Sequence, residues 1–326
     1  MKRNPTVSEL GTKYFYTTIK TFMKAKFIVI FLLFVVESCS AAIEWSQFEW
    51  ISSSIGDKTF DRAAILVPVK LKNNPKTFWM QLDTGTDVTV LYQIPFSQMK
   101  YPVQPVKEQE NFVALSGSIG NCPFDSFPVY MYKNFGDSLN DKKEHPVIGS
   151  VGQDILVGRI LILDFPKKRF CLTDSLNPAV KSLLSQASFV DLNRRNNKLF
   201  VHVQIADTSS DDFFYDTGTS LFPITTSKAM WQKLTGLEGN EKNNVRMNVS
   251  SWGQEAVLIG APVKGDLTFG TLNVPNPMVY FDTTGLIAFS QEPFKTDGLL
   301  GNALFYDEYT VVIDLVYNRF GILKNQ

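Results

Sequence analysis

The sequence predicts an all-β fold of two related lobes. Three observations carry this. The tripeptide Asp-Thr-Gly occurs twice, at Asp83-Thr84-Gly85 and Asp216-Thr217-Gly218, each time at the end of an apolar, strand-like run. The order of the segments around it is repeated in the two halves of the chain. Short β-type runs punctuated by Gly, Pro and Asn recur throughout, while long helical periodicity is scarce. With 326 residues, 44% hydrophobic content and 26 Phe, the chain can bury a core in each half and is far from a disordered composition.

In chain order, Phe27 to Val36 is an apolar run behind Lys24 and Lys26, followed by the small residues Ser38 to Ala42. That is the length of a signal-peptide core and short for a membrane span. Residues 1–42 are therefore expected to be a signal region and the mature protein to be exported: periplasmic, secreted or lipid-anchored at the cell envelope. Val36-Glu37-Ser38-Cys39 is similar to a bacterial lipobox, although Glu37 stands where a small residue is usual. Two processing routes stay open, lipidation of Cys39 and plain cleavage after Ala41 or Ala42. Without residues 1–42 the chain keeps 26 basic against 30 acidic side chains, a net charge of about −4. No basic run remains for nucleic acid or an acidic membrane, so membrane contact is expected only through the signal or a lipid. Cys122 and Cys171 remain as well; export permits a disulfide between them, but two buried core thiols are the preferred reading.

Residues 43–172 form the first predicted lobe. Val67-Pro68-Val69-Lys70-Leu71 alternates as a half-buried strand does, and Thr77 to Leu82 leads into the first Asp-Thr-Gly. Gly152-Gln153-Asp154-Ile155-Leu156 follows, and then a turn that keeps Asp164 and Arg169 five residues apart. Residues 173–198 are polar and read as a connection, with a helix over Pro178–Ala187 that puts Val180, Leu183 and Leu184 on one face. Residues 199–326 then repeat the order. Val201 to Ile205 matches the first strand, Asp212 to Tyr215 leads into the second motif, Gly301-Asn302-Ala303-Leu304-Phe305 mirrors the glycine segment, and Asp314 with Arg319 mirrors the turn. Both Asp–Arg pairs are expected to tie strand ends.

Two carboxylates on tight turns, one from each half, suit acid–base hydrolysis of an amide, because close carboxylates cannot both ionise and so share a proton. HExxH, GxSxG and CxxC spacings do not occur, which leaves zinc hydrolysis and serine catalysis without support and implies no metal or cofactor. Asp87, just after the first motif, reads as an exposed turn residue.

These motifs resemble those of the pepsin-like (retropepsin-fold) aspartic peptidases. Asp216-Thr217-Gly218-Thr219-Ser220-Leu221 is similar to that family's second-lobe signature, and Gly298 to Gly321 resembles its final strands. The likeness implies two β lobes with an active-site cleft between them and Asp83 and Asp216 as the catalytic pair. It further implies that Thr84 and Thr217 interlock beneath the carboxylates, that Thr86 and Thr219 donate to their outer oxygens, and that Gly85 and Gly218 admit close backbone approach. The family closes its cleft with a β-hairpin flap that carries a tyrosine. The corresponding segment here is Phe112 to Ser118, with Phe112, Leu115, Ser116 and Gly117 assigned to substrate and no tyrosine. Val90, Phe112, Leu115, Leu221 and Phe222 are the expected apolar walls. The missing tyrosine and a stretch of about 20 residues before the first lobe strand, short for an inhibitory prosegment, suggest an atypical bacterial member with compact lobes. The implied activity is that of an exported endopeptidase acting as a monomer on an extended peptide or protein chain. The alternative is a catalytically silent peptide-binding protein of the same fold.

Overall fold

The computed structural model describes residues 42–325 apart from 56–57, 141–143, 252–253, 287–288 and 290–294. The expected signal run and Cys39 lie outside the described residues. Strands dominate, and among the described residues the α-helices are three, none longer than eight residues. The chain is all-β and is built on two sheets.

The first sheet has eight strands. Its order is Glu49–Ile55, Lys58–Leu71, Thr77–Leu82, Val147–Val151, Val90–Tyr92, Cys122–Tyr132, Phe112–Ile119 and Gln104–Pro105. The long strand Lys58–Leu71 also pairs with Phe112–Ile119, joining Val69 to Ile119 and Leu71 to Gly117, so the sheet curls onto itself. Side chains pointing inward from it, among them Ile65, Val67, Val69, Met80, Leu91 and Leu115, are buried in the core. The alternation read at Val67–Leu71 is the pleat of this strand, with Lys70 turned to solvent.

The second sheet has fifteen strands and collects parts of both halves. Ile160–Asp164 pairs antiparallel with Tyr309–Asp314, with Ile160 opposite Asp314 and Asp164 opposite Thr310, so the two Asp–Arg turns leave this strand pair at opposite ends. Arg169 Nε donates to Asp164 Oδ2 and Arg319 Nε to Asp314 Oδ2, each at 2.7 Å, as the five-residue spacing predicts. The stretch read as a polar connection is not merely a linker. Its helix runs Pro178–Leu184, capped by Asn177 Oδ1 accepting from the Val180 N–H, and buries Val180 and Leu184. Its remainder is a strand, Ser188–Arg195, inserted between Arg319–Lys324 and Lys198–Ile205. Polar composition hid it because its side chains are mostly exposed, with only Leu192 buried.

The sequence repeat reappears as paired hydrogen-bond geometry. Thr77–Leu82 runs parallel to Val147–Val151, and Thr208–Tyr215 runs parallel to Gly298–Leu300. Val90–Tyr92 and Ile224–Thr226 each return antiparallel to that partner. The Asp83 N–H donates to the Val151 carbonyl and the Asp216 N–H to the Leu300 carbonyl, both at 3.0 Å. Each motif is thus held by a neighbouring strand at the same point of an equivalent loop.

Candidate active site

Each Asp-Thr-Gly stands at the end of a buried strand, where the chain turns and the hydroxyl of the threonine directly after the glycine folds back towards the aspartate. The turns close alike: the Thr86 N–H donates to the Asp83 carbonyl and the Thr219 N–H to the Asp216 carbonyl, each at 3.2 Å. Thr84 and Thr217 are both fully buried. The Thr84 N–H donates to Thr217 Oγ1 at 2.9 Å and the Thr217 N–H to Thr84 Oγ1 at 3.0 Å. The two hydroxyls in turn donate to the carbonyls of Tyr215 and Leu82. Four hydrogen bonds therefore cross between the halves and lock the two loops together.

Above this lock the two carboxylates face one another. A methyl group placed on Gly85 would lie 2.6 Å from Asp216 Oδ2, and one on Gly218 would lie 2.6 Å from Asp83 Oδ1. Only glycine permits this approach at either position. The Gly85 N–H donates to Asp83 Oδ1 at 3.0 Å and the Gly218 N–H to Asp216 Oδ1 at 2.8 Å, which fixes the inner oxygen of each carboxylate. Asp83 is buried, and burial first, then the Asp216 charge, pushes its carboxyl up to about 8. Asp83 thus retains its proton far above the usual carboxylate range.

The hydroxyl contacts are not symmetric. Thr219 Oγ1 donates to Asp216 Oδ2 at 3.0 Å, whereas Thr86 Oγ1 donates at 2.7 Å to the backbone carbonyl of Asp83. A hydroxyl carries one proton, so Thr86 is already committed and does not donate to the outer oxygen of Asp83. The layer beneath differs as well. Asn302 Nδ2 donates to the Thr217 carbonyl and to Ser220 Oγ, and Asn302 Oδ1 accepts from the Tyr215 hydroxyl at 2.6 Å. At the matching place in the first half stands Gln153, and beside it Asp154 accepts from the Thr89 N–H and hydroxyl.

The carboxylates open into a cavity of about 450 Å³. Its walls come from Ile51 and Ala63 on the first hairpin, from Tyr92 and Phe135, and from Phe214 and Thr219. The segment assigned as a flap lies elsewhere. Phe112, Leu115, Ser116 and Gly117 are absent from the described walls of this cavity. Leu115 is buried in the core, Phe112 packs edge-on against Tyr130, Ser116 donates to Asp125, and Gly117 sits against the Lys70 carbonyl. Phe112–Ile119 is bonded to Cys122–Tyr132, and its end Gly117–Ile119 also to Val69–Leu71, which ties that end into the sheet. Of the expected apolar walls, Val90 is buried and Phe222 packs edge-on against Tyr280, and neither they nor Leu221 line the cavity.

Phe135 lines the cavity where the assigned flap residues do not. It follows Cys122–Tyr132 and packs edge-on against Tyr92 with ring centroids 4.8 Å apart. The Tyr92 hydroxyl is within 2.6 Å of Ser150 Oγ, and burial pushes its phenol up to about 12. A neighbouring recess of about 390 Å³ shares these two rings and continues to Asp137 and His145. Sequence reading missed Tyr92 and Phe135. The cluster of aromatics near both was its available signal, but not which rings face the cleft.

Asp87 also departs from expectation. Its carboxylate is 2.6 Å from the ammonium of Lys198, which is itself buried. Cys122 and Cys171 are free thiols, half-buried and buried.

Among known proteins, no family model matches the chain, and no curated relative matches it. Solved structures do. An aspartic proteinase from Irpex lacteus aligns over 81% of this chain and 95% of its own at 12% identity, with a TM-score of 0.48. Conglutin gamma, a basic 7S globulin from lupine seeds, aligns over 87% and 95% at 10% identity, with a TM-score of 0.45. Basic 7S globulin from soybean aligns over 86% and 96% at 11% identity, with a TM-score of 0.44.

Proposed function

We propose that this chain is an exported aspartic endopeptidase in which Asp83 and Asp216 act together on an extended peptide. One observation carries the reading: two carboxylates from opposite halves face each other across mutually opposed glycines, where burial and the Asp216 charge hold the Asp83 carboxyl well above the usual range. A binding scaffold gains nothing from burying two groups that repel when both ionise.

In this reaction the ionised member takes a proton from a water molecule as the water oxygen attacks the scissile carbonyl carbon. The protonated member donates to the carbonyl oxygen and offsets the charge that develops there. Collapse of the tetrahedral species breaks the C–N bond, and a carboxyl proton passes to the leaving nitrogen. The pair is then restored with one proton. The Gly85 and Gly218 amides, each already bonded to an aspartate, hold the oxygens still through the cycle, so little reorganisation is left for the chemical step.

The cleft suits a chain that lies across both halves, with apolar side chains against Ile51, Tyr92, Phe135 and Phe214. Burying one large apolar side chain contributes roughly 1.5–3 kcal/mol, enough to favour scissile bonds flanked by hydrophobic residues. The mature form is read as a monomer that begins between Cys39 and Ile43, released or held by lipid on Cys39.

Digestion of a diverse peptide mixture by the mature protein tests the proposal. Cleavage is expected between apolar residues in long peptides, dipeptides are expected to survive, and a statine-type inhibitor is expected to stop the reaction. Because the Asp83 carboxyl is raised to about 8, activity should persist to neutral pH and fall on the alkaline side. Cleavage dominated by charged flanking residues, or no cleavage from acid to neutral pH, would overturn the reading.

A further inference from the structure

We propose that Lys198 is a positioning residue that holds the first Asp-Thr-Gly turn from the opposite half and sets, together with Asp87, the pH at which the catalytic pair titrates. The inference rests on the peptidase reading for its meaning in catalysis, but not for its geometry.

The placement begins with local sequence. Asn196 and Asn197 both adopt positive φ, 47° and 51°, and join Ser188–Arg195 to Lys198–Ile205 as a two-residue hairpin in which Arg195 pairs with Lys198. Asparagine tolerates this conformation in both places, as such a turn requires. The turn delivers Lys198 to the first position of a strand adjacent to Thr208–Tyr215, the strand that ends at Asp216. From there its ammonium crosses to the other half. It donates to the Gly85 carbonyl at 2.5 Å and to Asp87 Oδ1 at 2.6 Å. Both acceptors belong to the turn that carries Asp83.

A lysine that is 9% exposed is costly unless its charge is met. Here it is met by one half-exposed carboxylate and one backbone carbonyl of the catalytic turn. The pairing explains two residues at once: why a carboxylate follows the first motif, and why a lysine opens the strand before the second.

The other titratable groups around the pair are accounted for. Tyr92 packs from Val90–Tyr92 and bonds Ser150, and Tyr215 lies beneath and donates to Asn302. Tyr306 donates to the Ser220 carbonyl and lies under Arg62, which is paired with Asp307. Asp154 is bonded to Thr89, and Arg195 is paired with Asp212. Burial raises all three phenols, so they stay neutral through the working range. Among the described residues, Lys198 is the cation bonded to the first catalytic turn, and its charge opposes the rise that burial imposes on Asp83.

The test follows the Asp83 carboxyl by NMR with 13C-labelled aspartate, which needs no turnover. Lys198→Met should move the titration upwards by about one pH unit, since a close opposite charge is worth about that much or more. Asp87→Asn leaves the lysine uncompensated and should move it downwards. Lys198→Arg keeps the charge and should move it less than Lys198→Met does, and the double variant Asp87→Asn/Lys198→Met should fall between the two single ones. In an active enzyme the alkaline limb of the rate profile should move in the same directions. Shifts of the same sign in Lys198→Met and Asp87→Asn, or no shift in either, would overturn the proposal. If the wild type cleaves nothing while the titration moves as expected, the charge coupling stands and the peptidase reading falls.

Discussion

Replacement of either aspartate by asparagine, Asp83→Asn or Asp216→Asn, is expected to lower peptide cleavage by at least about a thousandfold while the protein stays folded. The two carboxylates act as a unit: one must accept a proton while the other donates, and removing a member of such a unit costs several orders of magnitude. Geometry survives the change because asparagine Oδ1 still accepts from the Gly85 or Gly218 N–H. Residual activity above about 1% in either variant would contradict a two-aspartate mechanism. Stability should move the opposite way with pH. The folded Asp83 carboxyl is raised from 3.8 to about 8. Its stabilising share is therefore complete below about pH 4 and is lost as the pH rises towards 8. Asp83→Asn cannot ionise and is expected to match the wild type at pH 4 and to melt at a higher temperature at pH 8. Thermal unfolding at the two pH values checks this, and a Tm difference that is the same at both would contradict the buried, proton-holding pair.

Thr84→Val and Thr217→Val carry the second-largest expected effect. Each removes the hydroxyl that accepts the opposite threonine's N–H and donates to a strand carbonyl at the opposite loop's base. Both positions are fully buried, so the stranded groups find no water. A buried unsatisfied donor or acceptor costs about 1–3 kcal/mol, so either substitution should destabilise by about 2–5 kcal/mol in urea unfolding. The double variant should cost less than the two single ones together, because both remove the same interlock. A loss below about 0.5 kcal/mol in either single variant would mean that the interlock does not hold the halves.

Much of this site was legible in the sequence because its chemistry is local. Asp83 and Asp216, the glycines that follow them and the flanking apolar runs are short-range features, and the repeat of Gly152–Leu156 as Gly301–Phe305 marked the strands that clamp each motif. The Asp164–Arg169 and Asp314–Arg319 ties were legible for the same reason. What stayed hidden depends on pairing across space. Residues 112–118 look like a free hairpin until the second pairing of Gly117–Ile119 with Val69–Leu71 is seen, and nothing local encodes that partner. Asp87 and Lys198 lie 111 residues apart, so an exposed turn carboxylate was the natural reading of one and a polar linker of the other. Thr86 differs from Thr219 through the direction of a single hydroxyl, which the identical turn sequences cannot reveal. Phe135 falls in a loop whose composition does not say which way its ring turns.

The most direct measurement is cleavage of one extended peptide in water enriched in 18O, followed by mass spectrometry of both product and enzyme. Direct attack of water activated by Asp83 and Asp216 predicts one 18O atom in each new C-terminal carboxylate at early times, with the aspartates of the enzyme unlabelled. Label appearing in Asp83 or Asp216 would mean that a carboxylate itself attacks the carbonyl, and an uncut peptide between pH 3 and 8 would mean that the pair does not act on peptide bonds at all.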